Sequence, residues 1–524
     1  MYIGTVAKLG LLLAVSVASL PAAERFDAVV YGATSGGVTA AIAAAHAGAR
    51  TALLEPGRHV GGMTTGGLSR TDHGRKETIG GLALEFYRRL GRHYGEDVTW
   101  YFEPHVAEKV LREWIREAGV QLFLGHRLRE DHGVRKRGAR IREIQMENGT
   151  GFAAAVFIDA TYEGDLMAQA KAAYTIGREG TADYGESLAG VRPTDRKHQF
   201  NFPVAAYDEK GVLRAGIQST PRGEIGAADK KVQAYNYRLC FSDNPANRIP
   251  FPRLSSYDPG RYALLAAYID AWRKAKGAYP GVNDLLGVNR LTVPSKADVN
   301  NRGPFSTDYI GANWEYPDAS YAKRALIVQA HIDYTAGLLH FLANEPAVPE
   351  SIRKEMAQWG LCADEFIDTN YWPHQLYIRE ARRMKSDFVM TQRDIQTDLT
   401  KPDSIGMGSY NSDSHNVQRY VTPEGLVLNE GNMEVPVEPY QIPYRVLIPK
   451  RKEAENLLVP VCVSSSHVAY STLRMEPVYM ILGHAAGVAA KLAIDSGVPV
   501  QEIDTEDLRH KLRQQGAVLE LRKP

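Results

Sequence analysis

Residues 26–55 read as a strand, a glycine turn, a helix of small residues and a second strand that ends in an acid. The apolar run 28–31 leads into Gly32, which is typical of a buried parallel strand entering a tight turn. Glu55 comes 23 positions after Gly32, close to the separation of about 20 expected for an acid that hydrogen-bonds a ribose. Because the first turn of such a helix presents N–H groups and a positive dipole end to phosphate, the segment predicts a dinucleotide site.

The turn departs from the usual three-glycine pattern at one position. Gly36 and Gly37 open the helix, where a missing Cβ favours close approach to a pyrophosphate and tight packing, but Thr34 stands at the second glycine position. The hydroxyl of Thr34 can bind a phosphate, although its Cβ narrows the approach of the backbone. The alternative is a strand, turn and helix without a ligand; the acid at the expected distance favours the nucleotide site.

A second glycine cluster at 58–68 distinguishes FAD from NAD. An NAD domain has no need of such a segment, whereas the flavin end of FAD extends past the ADP part and needs backbone further along the chain. Glycine and threonine suit this role because they offer N–H and hydroxyl donors with little bulk. The alternative is an ordinary flexible loop.

A third segment lies near the C-terminus. Residues 456–462 predict a buried strand, 464–474 a polar loop, and 475–493 a helix rich in glycine and alanine. The N-terminus of that helix would stabilise negative charge on a reduced flavin. The alternative is a tightly packed core helix with no ligand.

These segments resemble the FAD-dependent oxidoreductase family of bacterial flavoproteins, which is distantly similar to the flavin domain of heterodisulfide reductase. The resemblance covers nearly the whole chain after residue 23. It rests on matches at 31–37, 61–64, 79–82, 101–105, 159–165, 377–383, 408–411, 413–415, 443–445 and 464–477.

The resemblance implies an α/β fold: a discontinuous, glutathione-reductase-like FAD/NAD(P)-binding Rossmann domain with an inserted α+β substrate domain. The implied divisions are a signal peptide at 1–23, the N-terminal part of the FAD domain at 24–171, the substrate domain at 172–401 and the C-terminal part at 402–524.

The resemblance also implies which residues contact FAD. Glu55 would bind the adenosine ribose, and the other implied contacts fall on the phosphate turn, the second glycine loop, a returning Ala-Thr segment and the late helix. In chain order these are Gly32, Thr34, Ser35, Gly36, Gly37, Gly62, Met63, Thr64, Ala160, Thr161, Leu482, Gly483 and Gly487.

Residues 1–23 are typical of an export signal. Lys8 precedes an apolar run at 9–20 that is too short to span a membrane, and small residues follow at 22–23. We therefore expect a periplasmic or secreted protein, with an uncleaved anchor or a cytoplasmic arm as alternatives. No later run of about 20 apolar residues is evident, so we expect no membrane span after signal removal. The net charge of +1 favours no nucleic-acid partner.

The three cysteines, Cys240, Cys362 and Cys462, are far apart in sequence and form no Cys-x-x-Cys pair. Three thiols cannot supply the four ligands of a usual iron–sulfur cluster, and an exported chain could form one disulfide at most. No cluster of His, Cys and carboxylate residues has metal-ligand spacing, so the sequence predicts no metal site.

Flavin chemistry requires the protein to position a substrate, move a proton and stabilise charge. The leading candidates are His467, as a base beside the predicted flavin helix, and Arg474, as a partner for anionic flavin or a substrate carboxylate. Tyr470 and His415 are further candidates. A structural role is the alternative for His467 and for Arg474. The spacing of Arg379, Arg382 and Arg383 predicts one helix face that binds an anion.

We therefore expect an exported FAD-dependent oxidoreductase that transfers hydride between the flavin and a small polar substrate, with sugar-related alcohols as the favoured class. The electron acceptor is not identifiable from the sequence. The alternatives are a flavin-dependent reductase fed by an external donor, a polysaccharide lyase-type enzyme on the same scaffold, and a non-catalytic binding protein.

Overall fold

The computed structural model describes residues 23–521. The predicted signal peptide at 1–23 therefore lies outside the described residues, except for its last position. The strands of the described part are β1 Glu24–Tyr31, β2 Thr51–Glu55, β3 Gln121–Leu124, β4 Val134–Arg137, β5 Arg140–Gln145, β6 Gly151–Asp159, β7 Tyr174–Thr175, β8 Leu239–Ser242, β9 Arg248–Ile249, β10 Leu286–Arg290, β11 Lys296–Asn301, β12 Gly360–Cys362, β13 Arg383–Met384, β14 Ser404–Gly408, β15 Ser412–Ser414, β16 Gln418–Val421, β17 Val427–Glu430, β18 Met433–Val435, β19 Tyr440–Pro443 and β20 Leu457–Leu458.

The helices alternate with these strands near both chain ends and are longest in the middle and late segments. They are α1 Ser35–His46, α2 Gly81–Tyr94, α3 Pro104–Glu117, α4 Asp165–Gln169, α5 Thr181–Tyr184, α6 Ala263–Lys276, α7 Val282–Leu285, α8 Tyr321–Asn344, α9 Glu350–Met356, α10 Gln392–Gln396, α11 His467–Leu473, α12 Glu476–Ser496 and α13 Thr505–Gln514.

The main sheet combines strands from both ends of the chain. Its order is β3-β2-β1-β6-β5-β4, and β20 also pairs with β6. The pairs β3-β2, β2-β1, β1-β6 and β6-β20 are parallel, while β4, β5 and the start of β6 form an antiparallel meander. Parallel strands joined by helical crossovers define a Rossmann-type α/β fold, which confirms the predicted fold class.

The middle of the chain forms a second, antiparallel sheet with the order β10-β11-β8-β12-β9. The long helix α8 begins after Ser320, whose hydroxyl accepts a hydrogen bond from the N–H of Lys323 and caps the helix. Within residues 23–521, four smaller two-stranded sheets, β13-β7, β14-β19, β15-β18 and β16-β17, lie outside these two larger sheets.

Helices α1 and α12 pack against each other across one face of the main sheet. Residues 35–44 of α1 and 476–490 of α12 are all buried. Their small side chains permit this approach: a Cβ on Gly483 would overlap the carbonyl oxygen of Gly36, and one on Gly487 would overlap that of Ala40. The composition of the late helix is thus explained by packing against α1.

Two predictions of local structure are wrong. Residues 464–474 were expected to be a polar loop, but α11 forms there because Ser466 caps it by accepting a hydrogen bond from the N–H of Ala469. Residues 377–382 are irregular rather than helical and lead into β13, so the three arginines do not share a helix face. In the predicted strand at 456–462, only β20 is regular.

Within the part of the chain that the structure describes, α12 is long and apolar enough to cross a membrane by composition. The expectation that no membrane span follows residue 23 stays a prediction. The most apolar stretch of α12 is 83% buried inside the protein, which is typical of a core helix.

Candidate active site

The nucleotide turn is held by the acid that the sequence predicted at its ribose position. Glu55 accepts hydrogen bonds from the N–H groups of Ala33 at 2.9 Å and Gly57 at 2.7 Å. Burial raises the pKa of Glu55 to about 7, although these two hydrogen bonds oppose the shift. The carboxylate therefore ties the start of the turn to the loop after β2.

Thr34 caps α1 from the position where a glycine was expected. Its hydroxyl donates to the carbonyl oxygen of Ala160 at 2.7 Å and accepts from the N–H of Gly37 at 3.1 Å. Thr34 thereby joins the turn to the segment that follows β6. A threonine is compatible with the turn because its hydroxyl is engaged in these two hydrogen bonds.

The three glycines of the turn are required by close packing of the backbone. Gly32 has a φ of 95°, and a Cβ there would lie 2.8 Å from the backbone nitrogen of Thr161. A Cβ on Gly37 would overlap the carbonyl oxygen of Gly32, and one on Gly36 would lie 2.8 Å from that of Tyr479. These contacts account for the glycines, and their direct contact with FAD stays a prediction.

An elongated cleft runs beside this turn. It consists of two cavities of about 250 and 240 Å³ that share five lining residues: Pro56, Thr161, Glu163, Tyr316 and Val328. Gly32, Thr34 and Glu55 line the first cavity, and Arg127 and Arg324 line the second. A cleft that starts at the turn fits the pyrophosphate and adenosine parts of a dinucleotide, and both arginines at its other end are already paired, Arg127 with Glu147 and Arg324 with Asp165.

Glu476, which the sequence analysis missed, joins the turn, the second glycine loop and α12. Its buried carboxylate accepts hydrogen bonds from Ser35 at 2.6 Å, Thr64 at 2.8 Å and Tyr162 at 2.8 Å. The hydroxyl of Tyr162 also accepts from the N–H of Met63 at 2.9 Å. Burial raises the pKa of Glu476. The structure thus brings together Ser35, Met63 and Thr64 as predicted.

The remaining cofactor candidates occupy different surroundings. Thr161 lines the cleft, and Ala160 supplies the carbonyl that Thr34 binds. Gly483 packs against α1, as described above, and Leu482 is buried in the core. A Cβ on Gly62 would overlap the ring of Tyr162. The FAD contacts predicted for these positions stay predictions.

A separate polar cavity of about 240 Å³ contains two of the four predicted catalytic residues, His415 and Arg474. Except for Gly287, every lining residue has a polar or charged side chain: Asp72, Lys197, His198, Arg238, Asn289, Asn300, Asn301, Arg302, Tyr377, Tyr410, Asn411, Asp413, His415, Glu434 and Arg474. Such a lining suits a small, hydrogen-bonding ligand.

The polar cavity and the cleft lie on opposite sides of one segment. Tyr377 lines the polar cavity, whereas its neighbours Leu376 and Ile378 line the cleft. The N–H of Ile378 donates to the carbonyl oxygen of Leu376 at 2.9 Å, so the backbone makes a tight turn at Tyr377 and forms a thin wall between the two spaces. A ligand in the polar cavity would therefore lie close to one in the cleft.

His415 is oriented by a buried carboxylate. Its Nδ1 lies 2.7 Å from Asp308, which also pairs with Arg379 at 3.0 Å. Burial alone would raise the pKa of Asp308, but Arg379 and His415 outweigh it and lower the pKa to about 2. An ionised carboxylate accepts hydrogen bonds only, so Nδ1 carries the hydrogen and Nε2 is free to accept a proton.

The histidines of this cavity are neutral near pH 7. Burial and the charge of Arg379 lower the pKa of His415. Burial and the neighbouring His415 lower the pKa of His198 to about 4. The rings of the two histidines lie 6.4 Å apart and nearly parallel. A neutral, oriented His415 can act as a general base.

Two buried arginines form the cationic side of the cavity. Arg474 donates to the hydroxyl of Tyr377 at 3.1 Å and to the carbonyl oxygen of Asp413 at 2.7 Å. Arg238 pairs with Asp298 on β11 at 2.5 Å. Both guanidinium groups are thus held in place by the protein before a ligand arrives.

The other two predicted catalytic residues lie away from this cavity. His467 contacts Glu380 through Nδ1 at 2.8 Å and Ser414 through Nε2 at 3.2 Å, so both ring nitrogens have protein partners. The hydroxyl of Tyr470 lies 2.8 Å from that of Tyr479 within the core. These contacts favour the structural alternative for His467.

The three arginines of 377–383 make separate ion pairs rather than one anion site. Arg379 pairs with Asp308, Arg382 with Asp165 at 2.7 Å, and Arg383 with Glu179 at 2.6 Å. Because residues 377–382 form no helix and each arginine has a different carboxylate partner, the prediction of a shared face is wrong.

Two residues around His415 had no signal in the sequence. His198 of the cavity lining and Asp308, which binds His415, come from loops far apart in the chain, and only the fold places them near His415. Their spacing has no periodicity that an analysis of one sequence could use. Tyr377 and Asp413 lie within segments that carried the family resemblance, which was the one available indication of their importance.

The fold also creates, among the described residues, two groups of possible metal ligands that sequence spacing did not reveal: His59, Glu108 and His374, and Glu103, His105 and Glu365. The rings of His59 and His374 are stacked with only 10° between their planes, so their in-plane nitrogens cannot converge on one ion. In the other group, Lys296 lies 2.6 Å from Glu103 and 3.2 Å from Glu365 and supplies the positive charge. We propose no metal at either group.

Comparisons with solved structures give limited matches. The chain is 18% identical to THI4 from Thermovibrio ammonificans over 30% of this chain and 66% of that chain, with a TM-score of 0.22. It is 15% identical to the OxyS anhydrotetracycline hydroxylase from Streptomyces rimosus over 35% of this chain and 38% of that one, with a TM-score of 0.21. Thioredoxin reductase from T. acidophilum matches at 18% identity over 32% and 39% of the two chains, with a TM-score of 0.17.

These structural matches each span about a third of this chain and less than two thirds of the length of the solved chain. No curated protein sequence matches the chain. The family model described as FAD dependent oxidoreductase matches residues 27–512, which include the turn, the cleft and the polar cavity. The chain therefore belongs to the FAD dependent oxidoreductase family, and FAD is its cofactor.

Proposed function

We propose that this enzyme oxidises a small polar alcohol in the polar cavity, with FAD in the adjacent cleft as the hydride acceptor. The observation that carries the proposal is the thin wall at 376–378, where Tyr377 faces the polar cavity and its neighbours face the cleft. Because hydride transfer requires direct contact between substrate and cofactor, the proposal requires an opening between the two spaces beside this segment.

The residues beside the cleft fit the adenosine and pyrophosphate parts of FAD. Thr161 and the Gly32–Thr34 turn would hold the pyrophosphate region, and Glu55 the ribose. Glu476 would keep the turn and the second glycine loop in register without touching the phosphates itself. When bound, FAD supplies a two-electron acceptor for hydride.

His415 is the proposed general base. Its Nε2 lies 3.8 Å from Asp413, too far for a hydrogen bond and therefore available to a substrate hydroxyl, and its Nδ1 is fixed by Asp308. Because the pKa of His415 is lowered, the ring is neutral near pH 7 and can remove the proton of a substrate hydroxyl. Asp308 would then stabilise the imidazolium that forms, while the nearby charge of Arg379 would favour its deprotonation.

The substrate class follows from the lining. Asparagine, tyrosine and arginine side chains dominate the cavity, and its charges include Lys197, Arg238, Arg302 and Arg474 against Asp72, Asp413 and Glu434. A polyhydroxylated molecule, neutral or with one carboxylate, would satisfy these donors. Sugar-related alcohols and sugar acids are therefore the proposed substrates.

The proposed location is the periplasm or the exterior of the cell, which rests on the features of residues 1–23. The proposed domain division remains 24–171 and 402–524 for the FAD domain and 172–401 for the substrate domain. The pairing of β20 with β6 and the separate sheet of the middle segment support this division.

Anaerobic mixing tests the reaction. FAD-loaded protein is mixed with a panel of sugar alcohols, aldoses and sugar acids, and the absorbance of oxidised flavin is followed. We expect one class to bleach the flavin. His415→Asn, which can keep the hydrogen bond to Asp308 but removes the base, should slow bleaching by a factor of about 10² to 10⁴ with FAD content unchanged.

His467→Asn is the matched control, because it makes the same chemical change at a histidine outside the cavity. An unaltered bleaching rate in His415→Asn would reject the proposed base. A flavin that no substrate bleaches, but that an external reductant reduces and an added substrate reoxidises, would identify a reductase. Cleavage of a polysaccharide with an unchanged flavin spectrum would identify a lyase.

A further inference from the structure

Cys240 and Cys362 face each other across two neighbouring strands. Strands β8 and β12 are antiparallel, with Gly360 opposite Ser242 and Leu361 opposite Phe241. One step further in this register, Cys362 lies opposite Cys240, and the two sulfur atoms are 3.0 Å apart. Directly opposed residues of antiparallel strands have Cβ atoms about 4.5 to 5.5 Å apart, which is near the span of a disulfide.

We propose that Cys240 and Cys362 form a structural disulfide when the chain folds in an oxidising compartment. A disulfide needs a sulfur separation of about 2.05 Å, so the sulfurs have to approach by only about 1 Å. The two thiols lose two protons and two electrons as the bond forms. The oxidant is a disulfide-bearing molecule or protein, and its own disulfide is reduced to two thiols by successive exchange.

The third cysteine does not compete for this bond. Cys462 is buried beside the main sheet, where its thiol lies 3.4 Å from the carbonyl oxygens of Thr161 and Tyr162. Cys240 and Cys362 belong to the sheet of the middle segment. The fold therefore selects one pairing out of the three that are possible among three cysteines.

The bond has to form before the middle sheet closes. Cys240 is 3% exposed and Cys362 is fully buried, so an oxidant cannot reach them in the folded protein. The contact with Cys362 and burial raise the pKa of Cys240, which lowers its reactivity after folding. Once formed, the disulfide would be protected from reductants for the same reason.

The position of the pair links it to the polar cavity. Asp298 on β11 lies opposite Cys240 on the other side of β8, and Asp298 holds Arg238 of the cavity wall. The bond would close a loop of 122 residues between β8 and β12. It would thereby connect β8 and β12 covalently and lower the conformational entropy of the unfolded chain.

Thiol counting tests the proposal. The full chain is refolded in a glutathione buffer containing glutathione disulfide, unfolded in denaturant with N-ethylmaleimide, and weighed by mass spectrometry. We expect one label, on Cys462, and a Cys240–Cys362 peptide in a non-reducing digest. Three labels, or a cross-link that includes Cys462, would overturn the proposal. Cys462→Ser should give no label and the same linked peptide.

Thermal unfolding with and without a reductant gives a second measurement. The oxidised wild-type chain should lose several degrees of Tm when the disulfide is reduced before heating. The Cys240→Ala/Cys362→Ala variant should show no change with reductant, because it has no bond to lose. An equal response of the two proteins would overturn the stabilising role of the bond.

Discussion

Two carboxylates hold the segments around the cofactor cleft: that of Glu55, which is half-buried, and that of Glu476, which is buried. Glu55 binds two backbone N–H groups, and Glu476 binds three hydroxyls from separate segments. The role of Glu55 was predictable because an acid at this separation from the turn commonly binds the ribose of a dinucleotide. Glu476 was not, since its partners are more than 300 positions away in sequence and only folding brings them together.

Glu55→Gln should change how stability depends on pH. The pKa of Glu55 is about 7 in the folded protein and about 4.5 when unfolded, so the folded state holds the proton more tightly between these values. The wild-type contribution of this group to stability is therefore lost as pH rises from about 4.5 to 7, by about 2 kcal/mol for a half-buried side chain.

The measurement is denaturant unfolding of the FAD-free protein at pH 5 and pH 8. Between these values the wild type should lose about 2 kcal/mol more than Glu55→Gln, because glutamine does not titrate. Equal losses would mean that Glu55 titrates normally in the folded chain. FAD retention, measured separately, should fall in the variant because an ionic acceptor for the ribose is removed.

At the level of elements, hydrophobic periodicity was a good guide where a helix has one buried face. The apolar periodicity of residues 104–118 predicts one helix, and α3 is observed at Pro104–Glu117, with Val106, Val110, Leu111, Trp114 and Ile115 on its buried face. Periodicity is informative in this case because the opposite face meets solvent.

The same reasoning failed where every side of an element is buried. All residues of α11 are buried, so it has no amphipathic pattern, and the three serines before it suggested a loop. The polar cavity was only partly predictable for a related reason. His415 and Arg474 lie in segments that resemble the family, whereas His198 of the cavity lining and Asp308, which binds His415, come from loops whose course depends on tertiary packing.

Gly483→Ala should destabilise the protein although alanine favours helices. Propensity alone would stabilise α12 by about 1 kcal/mol. The new Cβ would overlap the carbonyl oxygen of Gly36, a backbone atom that cannot rotate away, so α1 and α12 have to separate. We expect a net loss of about 2 to 4 kcal/mol.

Thermal or denaturant unfolding measures this loss, with Ser496→Ala at the exposed end of the same helix as the control. The control should change the free energy of unfolding by less than about 0.5 kcal/mol. If Gly483→Ala is as stable as the wild type, the close contact of α1 and α12 is not required.

On the scale of the whole molecule, the cofactor cleft combines the chain's distant parts. The turn and β2 come from the N-terminal part, Tyr316 and Val328 from the middle, and Leu376 and Ile378 from the segment that leads to β13. The main sheet likewise is complete only when β20, from the C-terminal part of the chain, pairs with β6. A ligand in the cleft therefore connects regions that separate on unfolding.

FAD should accordingly raise the Tm of the entire chain in one cooperative transition. Binding to the folded state alone adds about 2.7 kcal/mol at a free concentration about 100 times the Kd. ADP should stabilise less at the same concentration, because it occupies the turn and the arginine-lined end but not the flavin side of the cleft. Differential scanning calorimetry of the FAD-free protein with each ligand makes the comparison. Equal shifts of Tm with FAD and ADP would mean that the flavin makes no stabilising contact. If FAD shifts only one of two transitions, the middle segment unfolds independently of the cleft.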